Sequence, residues 1–294
     1  MNIIILSRSA ALYSTQSLYR AATMKGHFVQ IIDHMYCDLL VKNGKSKVFY
    51  NGYELQGIHA IIPRIGATAT EYGSYVIRQF ENMGVYSVLK PDSLLKARNK
   101  FTCLQILAKN GIPIPNTATT NYTEDLDVFL DLFQEHPVII KLLSSTHGEG
   151  VIKSDTPEVS ATLMEAFLNL KHKILVQEFI KESSGTDIRA FVVGDKVVAA
   201  MERRAAIGEF RSNLHRGGSS ESIRLTNEEV SIAKKSARIL GLQVAGVDIL
   251  RSNKGSMVIE VNASPGLEGI ETTTNVNIAR SIISLVERNS KFRL

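Results

Sequence analysis

Residues 244–269, VAGVDILRSNKGSMVIEVNASPGLEG, constrain this chain more than any other stretch. They set two carboxylates, Asp248 and Glu260, and an amide, Asn262, among β-forming residues. Val258-Ile259-Glu260-Val261-Asn262 alternates apolar and polar, which is a strand period. Glu260 and Asn262 therefore share one face of that strand. Oxygen donors on one face, with a third close by, suit a hard cation such as Mg²⁺. That ion takes the rest of its shell from water and substrate phosphates, which points to a nucleotide-phosphate site. Two solvated acids on a sheet face are the plainer alternative.

The turn decides between them. Residues 246–251 and 256–261 read as two strands of a hairpin. An even loop that closes Ser252 against Gly255 pairs Asp248 with Ile259 and sends the two acids to opposite faces. A three-residue loop, Asn253-Lys254-Gly255, pairs Asp248 with Glu260, and that loop type takes a left-handed glycine at its third position. A shared metal thus predicts the three-residue loop, with Gly255 at positive φ.

The remaining chain reads as alternating elements. Residues 2–6, NIIIL, form an apolar strand, and residues 14–25 a helix closed by Gly26. A strand at 28–32, a hairpin at Asn51-Gly52, a strand at 58–63 and a helix at 70–83 follow. This order predicts a small parallel-sheet domain over residues 1–90. No G-x-G-x-x-G follows its first strand, so the dinucleotide fingerprint is missing. Arg8 and Arg64 each follow a strand's carboxyl end, where open α/β sheets hold ligands, and a guanidinium fork suits a carboxylate or phosphate. Surface arginines are the alternative.

Pro91-Asp92 opens a new unit, with Asp92 or Ser93 as a helix cap, Phe101, Leu104 and Leu107 at helical spacing, Gly111 as the helix end, and Lys100 on this helix or at its start. Residues 124–133 read as a helix. Residues 137–143, PVIIKLL, are a buried strand carrying Lys141, whose charge needs an anion there. The run Ser144-Ser145-Thr146-His147-Gly148-Glu149-Gly150 then offers backbone N–H groups to phosphates, although it is not a P-loop. Residues 174–180, ILVQEFI, are another strand, and Gly194-Asp195 turns a second hairpin. Glu202-Arg203-Arg204 ends a strand, residues 211–218, RSNLHRGG, form a basic loop, and helices cover 227–240 and 278–288.

With 294 residues and a net charge of +5, the chain has room for two or three lobes and suits an anionic partner. The basic residues are dispersed, and neither a zinc-finger spacing nor an aromatic-interleaved basic run is present. Cys37 and Cys103 fit no metal or redox spacing. The N-terminus lacks a basic leader region, and a cytoplasmic protein is expected.

In sequence order, a strand lysine, a glycine loop, Q-E-F-I, a basic R-S-N loop and D…E-x-N resemble the ATP-grasp fold, in which two α+β lobes clamp ATP. IPRIGA at 62–67, ERRAAIGEFRSNLHRGG at 202–218 and residues 244–270 are similar to the RimK family of ribosomal protein glutamate ligases. That resemblance implies an α/β and α+β architecture. A pre-ATP-grasp domain would span residues 1–90, a lobe with the glycine loop and adenine hinge 91–190, and a lobe with the metal hairpin 191–294. It implies Lys100 and Lys141 on ATP phosphates, and adenine at Gln177, Glu178, Phe179 and Ile180. It further implies Asp187 on ribose, and Arg211, Ser212 and Asn213 near the phosphates. Asp248, Glu260 and Asn262 would hold two Mg²⁺ or Mn²⁺ ions, and Arg203, with Arg204, would stabilise phosphoryl transfer. The implied substrates are L-glutamate and the acidic C-terminal tail of a small-subunit ribosomal protein, joined through an acyl phosphate, and the implied assembly is a homotetramer. The family's G-T-Q-G-x-G loop is altered here to S-T-H-G-E-G. A ligase for a small-molecule or peptide amine and a non-catalytic ATP-binding module are the alternative functions.

Overall fold

A computed structural model describes residues 1–143, 150–212 and 217–290. The first strand, β1 (Asn2–Leu6), is buried on both sides. Helix α1 (Tyr13–Thr23) returns the chain to β2 (Phe28–Ile32), parallel to β1. An antiparallel meander follows: β3 (Cys37–Lys42), β4 (Lys45–Tyr50) and β5 (Tyr53–Glu54). The hairpin expected at Asn51-Gly52 is present. A second such turn, Asn43-Gly44, joins β3 to β4, and all four residues have positive φ, as asparagine and glycine readily adopt. Then β6 (Ala60–Pro63), α2 (Thr70–Asn82) and β7 (Tyr86–Ser87) complete a parallel sheet of order β2-β1-β6-β7.

Helix α3 (Pro91–Arg98) starts with Pro91 in its first turn, where the missing N–H costs no hydrogen bond. Lys90 therefore takes the cap position and Asp92 and Ser93 lie inside the helix, not at its cap as expected. Asn99 caps α4 (Lys100–Lys109) by accepting from the Thr102 N–H at 3.0 Å. Next come β8 (Thr117–Ala118) and α5 (Leu126–Leu130). The helix expected over 124–133 is shorter because Asp125 is left-handed, at φ 54°. Strands β9 (Val138–Leu142) and β10 (Val151–Ser154), helix α6 (Pro157–Asn169) and β11 (Ile174–Glu178) make a sheet of order β10-β9-β11-β8. Leu126, Leu130, Val138, Ile140, Met164, Ile174 and Val176 give this sheet a core of its own. The glycine loop between β9 and β10 lies, apart from Gly150, outside the described residues.

The last sheet contains β12 (Thr186–Val193), β13 (Lys196–Arg204), β14 (Ser219–Ser222), β15 (Val244–Ser252) and β16 (Gly255–Asn262), in the order β14-β13-β12-β15-β16. Helix α7 (Asn227–Ile239) precedes β15 and begins with a reciprocal Thr226–Glu229 capping box. Helices α8 (Glu268–Thr274) and α9 (Ile278–Asn289) follow β16. One sheet face, including Ile188, Ala190, Val247, Ile249, Val258 and Val261, shares a core with Leu6, Ile61 and Ile65 of the parallel unit. Among the described residues no helix is long and apolar enough to cross a membrane.

The β15–β16 hairpin corrects the predicted loop. Ser252 pairs with Gly255, so the turn is the two-residue Asn253-Lys254, although Gly255 does have positive φ, at 102°. The ladder stays regular to Ile249↔Val258 and then jumps to Asp248↔Glu260, which leaves Ile259 as the extra residue of a β-bulge. Val258 and Val261 are both buried in the same core. A spacing of three residues cannot keep both on one face of a regular strand, and the bulge resolves this conflict. It also turns Glu260 and Asn262 to the face of Asp248. The expected opposition of the two acids is present, through a bulge in place of a longer loop.

Candidate active site

One end of the five-stranded sheet is polar on the face away from the shared core. Cross-strand pairs set Asp187 beside Arg203, Arg189 beside Asp248, Asp248 beside Glu260, and Gly246 beside Asn262. Arg203 donates Nε to Asp187 Oδ1 at 2.7 Å and Nη2 to Oδ2 at 2.5 Å, and its Nη2 lies 3.1 Å from Asp248 Oδ2. Arg189 grips Asp248 with Nε on Oδ1 and with Nη2 on Oδ2 at 2.7 Å. Burial pushes the Asp248 carboxyl up, but Arg189 and Arg203 outweigh it and hold the group below the usual carboxylate range. Burial likewise disfavours the Arg203 charge, and Asp248 and Asp187 more than restore it. Gly246 makes room for this array: a Cβ there would sit 2.9 Å from Pro265 Cβ and 3.2 Å from Arg189 Cδ.

Cations face this end from other elements. Lys141 of β9 donates Nζ to Gln177 Oε1 at 2.6 Å, and Gln177 donates Nε2 to Thr117 Oγ1 at 2.8 Å. Burial pushes the Lys141 amine down to about 8, with Glu260 opposing and Lys100 adding to the shift. Burial also lowers Lys100, again opposed by Glu260. Arg98, at the end of α3, is lowered by burial and opposed by Glu260 as well. Three cations from α3, α4 and β9 thus share the field of one carboxylate on β16. Asp248 and Glu260 carboxylates with the Asn262 amide oxygen are a donor set that fits a hard divalent cation. Asp248 retains lone pairs for such an ion beside its arginines, and the buried Asn262 Nδ2 has no hydrogen-bond partner among the described residues. Among the described residues, His, Cys, Asp and Glu alone form no group of three that could hold a metal, so the Asn262 amide is needed to complete the set.

The other predicted residues fall as follows. Glu178 Oε2 accepts from the Asn116 N–H at 3.2 Å, Lys153 Nζ lies 5.4 Å above the Phe179 ring, and Ile180 is buried. All three adjoin Gln177 at the end of β11. Arg211 donates Nε and Nη2 to Glu209 and Nη1 to the Val151 carbonyl at 3.3 Å, reaching the strand after the glycine loop. The hydrogen bond from Arg211 holds the Glu209 carboxyl down at about 2. Ser212 is buried, and Asn213 lies outside the described residues. Arg64 donates Nη2 to the Pro265 carbonyl at 2.7 Å and so adjoins the loop after Asn262. Arg8 is exposed and donates to Thr68 Oγ1 at 3.2 Å. Arg204 is not brought into the array. Strand alternation turns it to the opposite face from Arg203, where its side chain is 54% exposed and paired with Glu202 and Glu221. Two members were missed from sequence: Arg189, which stands two residues from Asp187 in an otherwise apolar strand, and Arg98, which carried no local signal.

The profile of the RimK-like ATP-grasp domain matches residues 97–286. The chain belongs to the RimK-like ATP-grasp family. The RimK pre-ATP-grasp profile matches residues 1–94. A protein of Thioalkalivibrio sulfidiphilus named "Probable alpha-L-glutamate ligase" is 50% identical over 291 residues, covering 99% of this chain and 97% of that protein. One of the same name from Vibrio cholerae is 48% identical over 290 residues, covering 99% and 96%. Among solved structures, the ATP-grasp ligase PsnB complexed with minimal precursor, Mg and ADP superposes with TM-score 0.73 at 21% identity, covering 98% of each chain. The macrocyclase MdnC of Microcystis aeruginosa, bound with precursor peptide MdnA, gives 0.76 at 15% identity, covering 98% of this chain and all of that one (100%). These likenesses agree with the ATP-grasp architecture expected from sequence, with its parallel sheet at the N-terminal end. Family and relatives make this RimK-like chain an ATP-dependent ligase.

Proposed function

We propose that the protein is an α-L-glutamate ligase that adds L-glutamate to the C-terminal carboxylate of an acidic protein tail, that of a small-subunit ribosomal protein. The observation that carries this reading is the meeting of Lys100, Lys141 and Arg98 with the Asp248–Glu260–Asn262 face across one carboxylate's field. The name of the relatives and the Mg, ADP and precursor described for PsnB support it.

In this reading Lys100 and Lys141 contact ATP phosphates as point charges, and the main chain at Phe179 and Ile180 receives adenine beside Gln177 and Glu178. Arg211, Ser212 and Asn213 approach the phosphates. Asp248, Glu260 and Asn262 would hold two Mg²⁺ or Mn²⁺ ions, which would supply positive charge to the transferring phosphoryl group. A carboxylate oxygen attacks the γ-phosphorus, the bond to the β-bridging oxygen breaks, and ADP leaves an acyl phosphate. The glutamate amine attacks the acyl carbon, loses a proton, and displaces phosphate to leave an amide. Arg203 stabilises charge on the transferring oxygens. Because Arg203 engages both Asp187 oxygens, Asp187 acts first to fix that guanidinium and only then as a neighbour of ribose.

The homotetramer is extended from the resemblance, and the cytoplasmic setting from the N-terminal run that lacks a basic leader region; light scattering of the purified chain tests the former. The reaction is tested by incubation with ATP, Mg²⁺, L-glutamate and peptides ending in glutamates. ADP release matched by added mass in glutamyl steps is expected, and no added mass across several acidic peptides refutes the protein-tail reading. A free amine that stimulates ADP release more than any peptide would move the assignment to a small-molecule acceptor.

A further inference from the structure

Where the parallel sheet meets the β15–β16 hairpin, three buried polar atoms have no hydrogen-bond partner among the described residues: Arg98 Nε, Asn262 Nδ2 and Ser264 Oγ. The residues that carry them are tied together. Arg98 donates Nη2 to the Ile65 carbonyl at 2.8 Å. The neighbouring Arg64 donates Nη2 to the carbonyls of Pro265, at 2.7 Å, and Ser264, at 3.5 Å. Ser264 stands two residues beyond Asn262. Strand β6, which delivers Arg64, ends beside the end of β1, Leu6 opposite Pro63. That is the carboxyl edge of the parallel sheet at the point where its strand order reverses, a place such sheets use for ligands.

The group is rich in donors and poor in negative charge. Burial alone draws Arg64 down to about 10, and no carboxylate opposes it. Only Glu260 offsets the burial of Arg98. An unmade hydrogen bond on a buried polar atom is costly, and a guanidinium that has lost its water gains most from a partner of opposite charge. Planar forks match a carboxylate in two parallel hydrogen bonds, whereas the nearby lysines act as point charges. Asn262 can serve both sides, its oxygen toward a cation and its N–H₂ toward an anion.

We infer that Arg98 and Arg64, with the Asn262 amide and the Ser264 hydroxyl, form the subsite for a substrate carboxylate beside the metal hairpin. This rests on the ligase reading above. The two carboxylates in that reaction, on the acceptor terminus and on free glutamate, share the chemistry, and kinetics separate them.

The full chain and its Arg98→Lys, Arg98→Gln and Arg64→Lys variants are compared for ADP release, with L-glutamate and a peptide ending in glutamate titrated separately. Wild-type release that depends on L-glutamate tests the ligase reading itself. In the variants, KM for one carboxylate substrate rises about 10- to 100-fold, the loss of a charge-assisted pair, while KM for ATP moves less than about 2-fold. The substrate whose KM moves is the one the pocket holds. Unchanged KM values for both, with losses confined to kcat or melting temperature, overturn the inference and leave the arginines as ties between sheets. Should wild type not turn over, the melting-temperature shift caused by L-glutamate or the peptide gives a second readout. A shift seen in wild type and lost in Arg98→Gln supports the subsite. A shift equal in both, or absent from wild type, overturns it.

Discussion

Replacing Lys141 by methionine is predicted to remove one rising contribution to stability at alkaline pH in the nucleotide-free protein, which shows in the difference between wild type and variant. The Lys141 amine sits at about 8 against an ordinary 10.5, chiefly because burial strips its water. That gap, 10.5 − 8, is about 2.5 pH units, or about 3 kcal/mol for keeping the charge in the folded state at neutral pH. The folded value lies below the unfolded one. Between about pH 8 and about pH 10.5 this amine is therefore more protonated in the unfolded chain, and its contribution to stability rises with pH across that window. Methionine removes this contribution at every pH. It also leaves Gln177 Oε1 without its donor, which costs about 1–3 kcal/mol, so the net change at neutral pH is a small gain or near zero. The slope is the cleaner signature. Urea unfolding of both proteins at about pH 7 and about pH 10 should show wild type gaining up to about 3 kcal/mol more than the variant. Equal gains would refute the claim that a buried lysine, only partly offset by Glu260 and Asp248, waits for an anion. ATP with Mg²⁺ should in turn stabilise wild type best below about pH 8 and stabilise the variant much less.

Other outcomes are equally specific. Arg203→Lys should lower kcat about 10²- to 10³-fold in the glutamate-dependent ADP assay, whereas Arg204→Ala should leave it within about 2-fold. Glu260→Gln should stay folded, with a lower melting temperature because Arg98, Lys100 and Lys141 lose the carboxylate they share, yet lose turnover that Mg²⁺ supports; retained turnover would refute the metal face. Gly246→Ala should cost about 1–3 kcal/mol by chemical denaturation, because its methyl group meets Pro265 and displaces Arg189 from Asp248. Burial raises the Glu229 carboxyl, but Arg251 and the Thr226 N–H outweigh it and hold it below the usual glutamate range. Its contribution is therefore present at neutral pH and lost as pH falls through that lowered value, so the stability difference between wild type and Glu229→Gln should shrink in acid.

Much of the site was legible because it depends on local period. Alternation in Val258–Asn262 put Glu260 and Asn262 on one face, and the need to share a cation put Asp248 opposite Glu260. The route to that pairing was not legible. A bulge is decided by which apolar residues a distant core takes up, here Val258 and Val261 together, and that core includes residues of the N-terminal unit. The same two-residue period could have separated Arg203 from Arg204, since neighbours on a strand cannot both face one site. Arg98 was out of reach for a different reason: it matters through the Ile65 carbonyl, far away in sequence. In the meander the signal was present and half used, since Asn43-Gly44 carries the same turn chemistry as Asn51-Gly52.

The separate core of the β8–β11 sheet has a thermodynamic consequence. Among the described residues, the core of this lobe includes no side chain of the five-stranded sheet, and the contacts between the two include polar ones, Arg211 to the Val151 carbonyl and Lys254 4.0 Å from Glu178. Swinging the lobe outward would uncover little oily surface, so the motion should carry almost no heat-capacity change. Unfolding the lobe would expose its own core and carry a large one. Calorimetry of nucleotide binding over a range of temperatures can therefore tell a clamp that closes as a rigid jaw from one that folds around its ligand.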